Sequence, residues 1–546
     1  MSLGLYEILP HSAVPPGGDA EVGSKAWNLM RMAAAGLPVP AAFVLPTEWC
    51  WRVQSQAEGN DLEQTLSSGI AAIERATGLG FGLPRCPLLV SVRSGAVVSM
   101  PGMLETVLNI GLNAKTVEGL IGYTGNPRLA WDCYRRLIQG YASVVRGLPR
   151  GAFDEGVTQA LSRAGVEAEC ELDYDNLRQL TRDSLGRFRE LAGTPFPEDP
   201  HEQLRQAALA VFRSWDAPKA VAYRAANGIK YNGGTAATIQ RMVFGNAGGS
   251  SGAGVAFTRN PATGDRELYL DFQFNAQGED VVAGRLVSRG DRRLRRTLPL
   301  VWGQLEEAGH TLEVLFHDAQ DFEFTLQSGK LSLLQSRSAK RTPWAALRIA
   351  VDQVDERLIS PQEALSHLAH INLDSVVRTR LADATAEPLA RAQVAGMGVA
   401  GGAIALDSEN ARRMANAGTP VILVRGEMDT ADISGMMSAT GILTSSGSRT
   451  SHAAVVARQL GKVCLVACAD LEIDLSRRCC CIGRKTMREG EFLSLDGNNG
   501  GIYAGKLNVV TERPDRELAR IEGWRDSGVL DSTAKPLLHA GQAGSG

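Results

Sequence analysis

The chain has 546 residues, 44% hydrophobic and 21% charged, with 57 lysines and arginines against 60 aspartates and glutamates and a formal net charge of −3. This length suggests about three or four domains, and the composition is that of an ordinary soluble globular protein. No clustered basic surplus points to nucleic acid, no run approaches the roughly 18 apolar residues of a membrane helix, and Met1–Pro10 lacks a secretory leader pattern, so a cytoplasmic protein is expected.

In chain order, Ser24–Ala35 reads as a helix stopped by Gly36 and Pro38–Val39–Pro40. Leu88–Val92 reads as a strand. Residues 113–230 read as mostly helical, with helical apolar spacing in Leu129–Val145 and Glu202–Arg213. Strands and glycine loops return over 235–285, and 318–337 reads as a hairpin. Residues 344–395 read as charged, alanine-rich helices of a linker. Residues 396–505 read as a compact second α/β unit, and the tail holds one helix, Arg516–Arg525, before a glycine-rich end expected to be disordered.

Nine cysteines are scattered through the chain, five of them at Cys464, Cys468 and Cys479–Cys481. Five thiols so close raise zinc, yet their spacing matches no paired-cysteine site. Adjacent strand residues also point to opposite faces. Half-buried strand thiols are the expectation.

Four segments of the first half suggest phosphate and metal chemistry. Gly23–Ser24–Lys25 opens a helix, where backbone N–H groups and a lysine attract anions. Such sequences are also common before helices that bind nothing. Arg93 leaves a strand into the Ser94–Gly95–Ala96 loop and can grip phosphate bidentately, or stand as a surface arginine on a turn. The loop Gly245–Gly254 lets backbone approach a phosphate closely, although read alone it is better taken as a flexible hairpin loop. In the hairpin, Asp321, Glu323 and Thr325 alternate with apolar residues. A three-residue loop, Ser328–Gly329–Lys330, sets Glu323 opposite Gln335 and Asp321 opposite Arg337. That collects oxygen donors suited to Mg²⁺ beside a guanidinium, unless the face is a solvated set of salt bridges.

In the second half, Gly441–Thr444 runs as a strand into a Gly/Ser loop and then a helix. Thr450 or Ser451 caps the helix and Gly461 stops it. His452 falls in its first turn. The partial positive charge there disfavours imidazolium and favours an attached phosphoryl group. A structural histidine is the competing reading.

Taken together, the stretches 23–40, 88–113, 210–224, 242–269, 275–284, 321–342 and 441–464 closely resemble the pyruvate phosphate dikinase family. The serine–methionine–proline–glycine loop and TSHAAVVAR resemble the dikinase rather than the related water-using phosphoenolpyruvate synthase. The resemblance implies a multidomain α/β (α+β) fold. Its parts are an ATP-grasp nucleotide domain over 1–342 with a helical insert over 113–230, a helical linker over 343–395, a swivelling phosphohistidine β/β/α domain over 396–510 and a tail over 511–546. It implies that Lys25, Arg93 and Arg337 hold ATP phosphates, that Gln240, Met242 and Val243 meet adenine, and that Glu279 lies near the nucleotide. Asp321, Glu323 and Gln335 would hold Mg²⁺, and His452 would carry the phosphoryl group. Val97, Ala253 and Ser448–Arg449 depart from the family pattern. None of the motifs of the family's pyruvate-binding barrel is found near or after Trp524.

The leading expectation is therefore a phosphotransferase that uses ATP and phosphate, phosphorylates His452, and passes the group to pyruvate on a separate barrel protein. The oligomeric state is left open, a homodimer among the possibilities. The alternatives are a stand-alone dikinase with another small-molecule acceptor, which needs a pocket within 344–440 or the tail, and a non-catalytic nucleotide-binding regulator.

Overall fold

A computed structural model describes residues 4–12, 14, 17–57, 59–98, 100, 104–226, 228–229, 233–278, 290–382, 387–428, 432–447 and 452–526. The chain forms two compact units. One comprises Met1–Gly252, Phe274–Ala276 and Phe324–Arg337, and the other Ala253–Gln273, Gln277–Glu323 and Ser338–Gly546.

The first unit contains β1 (Tyr6–Ile8), α1 (Gly18–Ala34), β2 (Ala42–Leu45), β3 (Val90–Gly95), β4 (Thr106–Ile110), α2 (Pro127–Val144), α3 (Tyr174–Ala192) and β5 (Ala236–Arg241). Its five-stranded sheet runs β1-β2-β5-β3-β4. Every neighbouring pair is antiparallel, with Phe43 opposite Ile239 and Val92 opposite Ile239 on β5. The strand expected over Leu88–Val92 is two pieces, because Pro87–Leu88 pairs instead with Gly80–Phe81.

Six α-helices occupy Thr116–Ala226. Their starts follow from local chemistry: Asn126, Asp173 and Asp199 each accept a backbone N–H in the first turn, and Pro127 and Pro200 follow two of those caps. The apolar faces meet in a core that includes Tyr141, Phe188 and Phe196, with ring centroids 5.3–5.4 Å apart around Phe196.

The second unit begins with β6 (Gly252–Phe257) and β7 (Tyr269–Phe274), followed by α4 (Pro299–Phe316) and β8 (Gln320–Gln327). Strand β6 lies between β7 and β8. Strand β8 continues through a turn into β9 (Lys330–Ser338), and both sides of that turn belong to the first unit. Arg259, just after β6, is 1% exposed. It pairs with Glu313 of α4 at 2.7 Å and with Glu356 at 2.9 Å. A fork of five donors suits two carboxylates at once, which is why an arginine can be buried here.

Helices α5 (Pro343–Asp355) and α6 (Pro361–Leu368) follow, the latter with a capping box of Ser360 and Glu363. The helical reading of 344–395 is corrected beyond Ser375. Residues 378–396 supply β10 (Arg378–Leu381), β11 (Ala390–Arg391) and β12 (Gln393–Gly396). The strand β10 pairs with β19 (Val509–Glu512) from the other end of the chain, a partner that no local pattern reveals.

The remaining strands are β13 (Val399–Ala405), β14 (Val421–Arg425), β15 (Gly441–Thr444), β16 (Val463–Val466), β17 (Phe492–Asp496) and β18 (Gly501–Ala504), with α7 (His452–Gln459) between β15 and β16. They form an eight-stranded sheet with order β11-β18-β17-β13-β14-β15-β16-β12, parallel from β13 to β16. Ile422 and Val424 pack on one face and Val421 and Leu423 on the other. Burial on both faces explains why this strand reads as a continuous apolar run.

Cys479–Ile482 is the middle strand of a small three-stranded sheet, with Cys480 buried and Cys479 and Cys481 half-buried on the opposite face. A final helix, α8 (Asp515–Asp526), packs Leu518 and Ile521 against α5 and α6, close to the range expected for it.

Replacing Arg259 by alanine leaves Glu313, 5% exposed, as a buried carboxylate without its cation. The expected cost is roughly 3–5 kcal/mol, read in guanidinium unfolding followed by circular dichroism. An unchanged midpoint would contradict the structural role given to this pair.

Candidate functional site

The first unit gathers most of the residues singled out in the sequence. Helix α1 is interrupted at Gly23, which has φ 75° and ψ 153°, so the regular helix begins at Ser24. A Cβ at Gly23 would stand 2.2 Å from the Gly95 carbonyl oxygen. Only glycine allows this approach, and the approach sets the helix start against the end of β3. The Ser24 N–H and hydroxyl both donate to the Ala96 carbonyl, at 3.2 and 3.1 Å. Lys25 follows in the first turn, half-buried.

Arg93 lies on β3, with Thr238 and Thr106 as its neighbours on the flanking strands. Its guanidinium donates to the Leu334 carbonyl of β9 at 3.4 Å. One turn along α1 from Lys25, the Asn28 amide donates to the Ser336 carbonyl at 2.8 Å. Residues 334–336 are thus gripped from β3 and from α1. Gln335, 8% exposed, and the half-buried Arg337 share the alternate face of the same strand.

Gln240 is buried on β5, donating to the Pro40 carbonyl at 3.4 Å. Beyond β5, the Met242 N–H donates to the Leu89 carbonyl, and the Phe244 N–H donates to the side chain of Gln327 at 3.0 Å. The segment Gln240–Val243 therefore leaves the sheet beside the β8–β9 turn.

The glycine-rich loop reaches the same turn. Ser250 and Ser251 accept the backbone N–H groups of Gly329 and Ser328 at 2.9 Å each, the second through its hydroxyl. Asn246 donates to Asp132 of α2 at 3.4 Å. Asp132 is buried between Arg135 at 3.0 Å and Arg136 at 3.1 Å. Burial alone would raise its pKa, but the two arginines outweigh that and hold it down at about 2.

The β8–β9 turn corrects one expectation. It has two residues, Ser328 and Gly329, with φ 51° and 76°, rather than three. At the far end of the hairpin the Ala339 N–H donates to the Ala319 carbonyl at 2.8 Å, the register expected from a three-residue loop. Asp321, 2% exposed, and the half-buried Glu323 share a face of β8, in the part of the strand assigned to the second unit. Glu279 lies outside the described residues. Val97 is half-buried just past β3, and Ala253 is fully buried on β6.

His452 opens α7 in the second unit, at the carboxyl edge of the parallel strands, where α/β sheets present helix N-termini. The expected caps, Thr450 and Ser451, and the Ser448–Arg449 pair lie outside the described residues. The strand end before them is tied down: Thr444 accepts the Cys468 N–H at 3.0 Å, and the Ser445 and Ser446 N–H groups donate to Arg425 and Gly426 carbonyls.

One anchor on α7 escaped the sequence reading. Arg458 is fully buried, donates to the Ala395 carbonyl of β12 at 3.0 Å, and lies 5.4 Å from the Phe257 ring centroid. Burial pushes its pKa below the ordinary value. The signal available in the sequence was a charged residue on the apolar face of a short helix. Asn28 carried no comparable signal, because its partner is 308 residues away.

Comparison with known proteins gives two domain matches. Residues 52–295 match the model "Pyruvate phosphate dikinase, AMP/ATP-binding domain", and residues 418–500 match "PEP-utilising enzyme, mobile domain". The chain is 40% identical over 511 residues to a pyruvate, phosphate dikinase of Clostridium symbiosum, covering 92% of this chain and 58% of that protein. It is 40% identical over 536 residues to that of Rhizobium meliloti (strain 1021), covering 93% and 59%. A chloroplastic pyruvate, phosphate dikinase 1 of Arabidopsis thaliana is 39% identical, with 93% and 53% covered. The chain thus spans somewhat more than half the length of the curated relatives it matches. No described helix is long and apolar enough to cross a membrane.

The Asp132 cluster gives a pH prediction. Its folded pKa lies below the ordinary carboxylate value, so it stabilises the fold above pH 4 and loses that contribution as pH falls towards about 2. Asp132→Asn should cost on the order of 2 kcal/mol at neutral pH and flatten the stability curve between about pH 4 and pH 2. A variant with the wild-type acid limb would refute the assignment.

Proposed function

This chain belongs to the pyruvate phosphate dikinase family, and on that premise we propose that it moves a phosphoryl group from ATP to its own His452. The observation that carries the reading is the grip on 334–336 from two sides, by Arg93 and by the helix that Lys25 opens. It ties the strand that carries Arg337 to Arg93 and to the helix that carries Lys25.

Phosphoryl transfer asks a protein chiefly for alignment and charge neutralisation. Lys25, Arg93 and Arg337 hold the phosphates of ATP, while Gln240, Met242 and Val243 meet the adenine. Asp321, Glu323 and Gln335 offer two carboxylates and an amide oxygen, a donor set that fits Mg²⁺ and would hold it. When bound, that ion offsets phosphate charge.

His452 supplies the nucleophile. The partial positive charge of a helix start disfavours imidazolium and favours an attached anionic group. A nitrogen–phosphorus bond forms to the β-phosphoryl group and the nucleotide leaves as AMP. Inorganic phosphate takes the terminal phosphoryl group as pyrophosphate, leaving one phosphoryl group on His452. The domain carrying His452 then swivels, and the group passes to pyruvate on a separate barrel protein.

Incubated with ATP, Mg²⁺ and phosphate, the purified chain should release AMP and pyrophosphate stoichiometrically, and a barrel protein with pyruvate should make the release catalytic. His452→Ala should abolish release while ATP binding stays nearly intact. Arg337→Ala should weaken ATP binding by roughly 10- to 100-fold, the loss of a charge-assisted bond worth roughly 1.5–3 kcal/mol. Wild-type AMP release from His452→Ala would sink the proposal.

A further inference from the structure

The second unit contains a cavity of about 1010 Å³ whose lining includes none of the residues named so far for nucleotide chemistry. Its cationic lining comes from three segments. Lys340 and Arg341 follow β9, His367, His370 and Arg378 come from α6 to β10, and Lys462 precedes β16. Asp318 is the sole carboxylate among the lining residues. It is bound by Arg341 at 2.6 Å, and Arg378 is held by Glu512 at 2.8 Å. Among the described residues, that leaves Lys340 and Lys462 as lining charges that no carboxylate offsets.

Two further observations point the same way. His367 Nδ1 is shielded from solvent, 4.0 Å from Asp318, with no hydrogen-bond partner. A buried polar atom in that state costs free energy, which the ring recovers if it turns towards a ligand oxygen in the cavity. Burial also lowers the pKa of Lys462, which marks a partly desolvated ammonium that gains from an anion.

Apolar walls complete the cavity. Trp344, Met397 and Val399 face it, and the Arg378 guanidinium stacks 4.5 Å from the Trp344 ring centroid. The volume far exceeds what one inorganic phosphate fills, and concave sites of this size take metabolite-sized ligands.

We propose that this cavity is a binding site for a small molecule bearing a phosphate group, with Lys340 and Lys462 as its principal anion contacts and Trp344 beside its carbon skeleton. Such a ligand would join the segment after β9 to the loop between α7 and β16. Lys462 lies beyond the C-terminal end of α7 and His452 opens the other end, about 12 Å of helix away. The site is therefore separate from the proposed phosphoryl carrier, and a ligand there would bias the placement of α7 without entering the chemistry.

The test uses the full chain carrying Lys25→Ala and Arg337→Ala, so that the proposed nucleotide end does not compete. Inorganic phosphate and glycerol 3-phosphate are titrated separately by calorimetry. Saturable binding of glycerol 3-phosphate, tighter than that of phosphate, is expected. Adding Lys340→Glu and Lys462→Glu should weaken it at least tenfold, and Lys340→Gln with Lys462→Gln should weaken it less, which keeps the test alive if charge reversal disturbs folding. No saturable heat from either probe, phosphate binding as tightly as glycerol 3-phosphate, or equal affinity in the glutamine pair would overturn the proposal.

Discussion

The nucleotide end of this chain depends on one close backbone approach, that of Gly23 to Gly95. A side chain at residue 23 would collide with the Gly95 carbonyl, so the helix start and the strand end can meet only through glycine. From that contact the rest follows by rigid elements. Helix α1 carries Lys25 in its first turn and Asn28 in its second, β3 carries Arg93, and the strand β9 is bonded to both. Backbone N–H groups at a helix start and a few fixed cations are an economical way to meet a polyanion, since neither reorganises when charge shifts.

The histidine end applies the same electrostatics with different architecture. Parallel strands β13 to β16 all deliver their carboxyl ends to one edge, and α7 starts there. Buried Arg458 and the Thr444–Cys468 bond brace the helix and the strand end that flank the loop before His452. The carrier role proposed for His452 needs such bracing, because a mobile first turn would forfeit alignment.

Local signals made some of this legible in the sequence and left the rest invisible. The helix from Ser24 announced itself through Gly23 and Gly36, and the start of α7 through a strand, a Gly/Ser loop and a stop at Gly461. The hairpin was legible from alternation, but its turn length was not. Ser328 adopts a left-handed conformation that serine seldom takes, so the sequence suggested three loop residues where two suffice. The strands over 378–396 were hidden among helical signals because their partners, β16, β18 and β19, lie more than 60 residues downstream. The pairing of Arg259 with Glu313 and Glu356 spans 54 and 97 residues and has no sequence signature at all. The candidate site residues were recognisable as types in motifs. What brings Arg93 and Asn28 onto one strand is tertiary structure alone.

The central claim is that His452 receives the β-phosphoryl group of ATP. The most direct measurement incubates the chain with Mg²⁺, phosphate and ATP labelled at the β-phosphate, quenches in base, and maps the acid-labile label by peptide mass. The account predicts label on the peptide carrying His452 and none in the His452→Ala variant. Label on another residue, or no label in a chain that binds ATP, would contradict it.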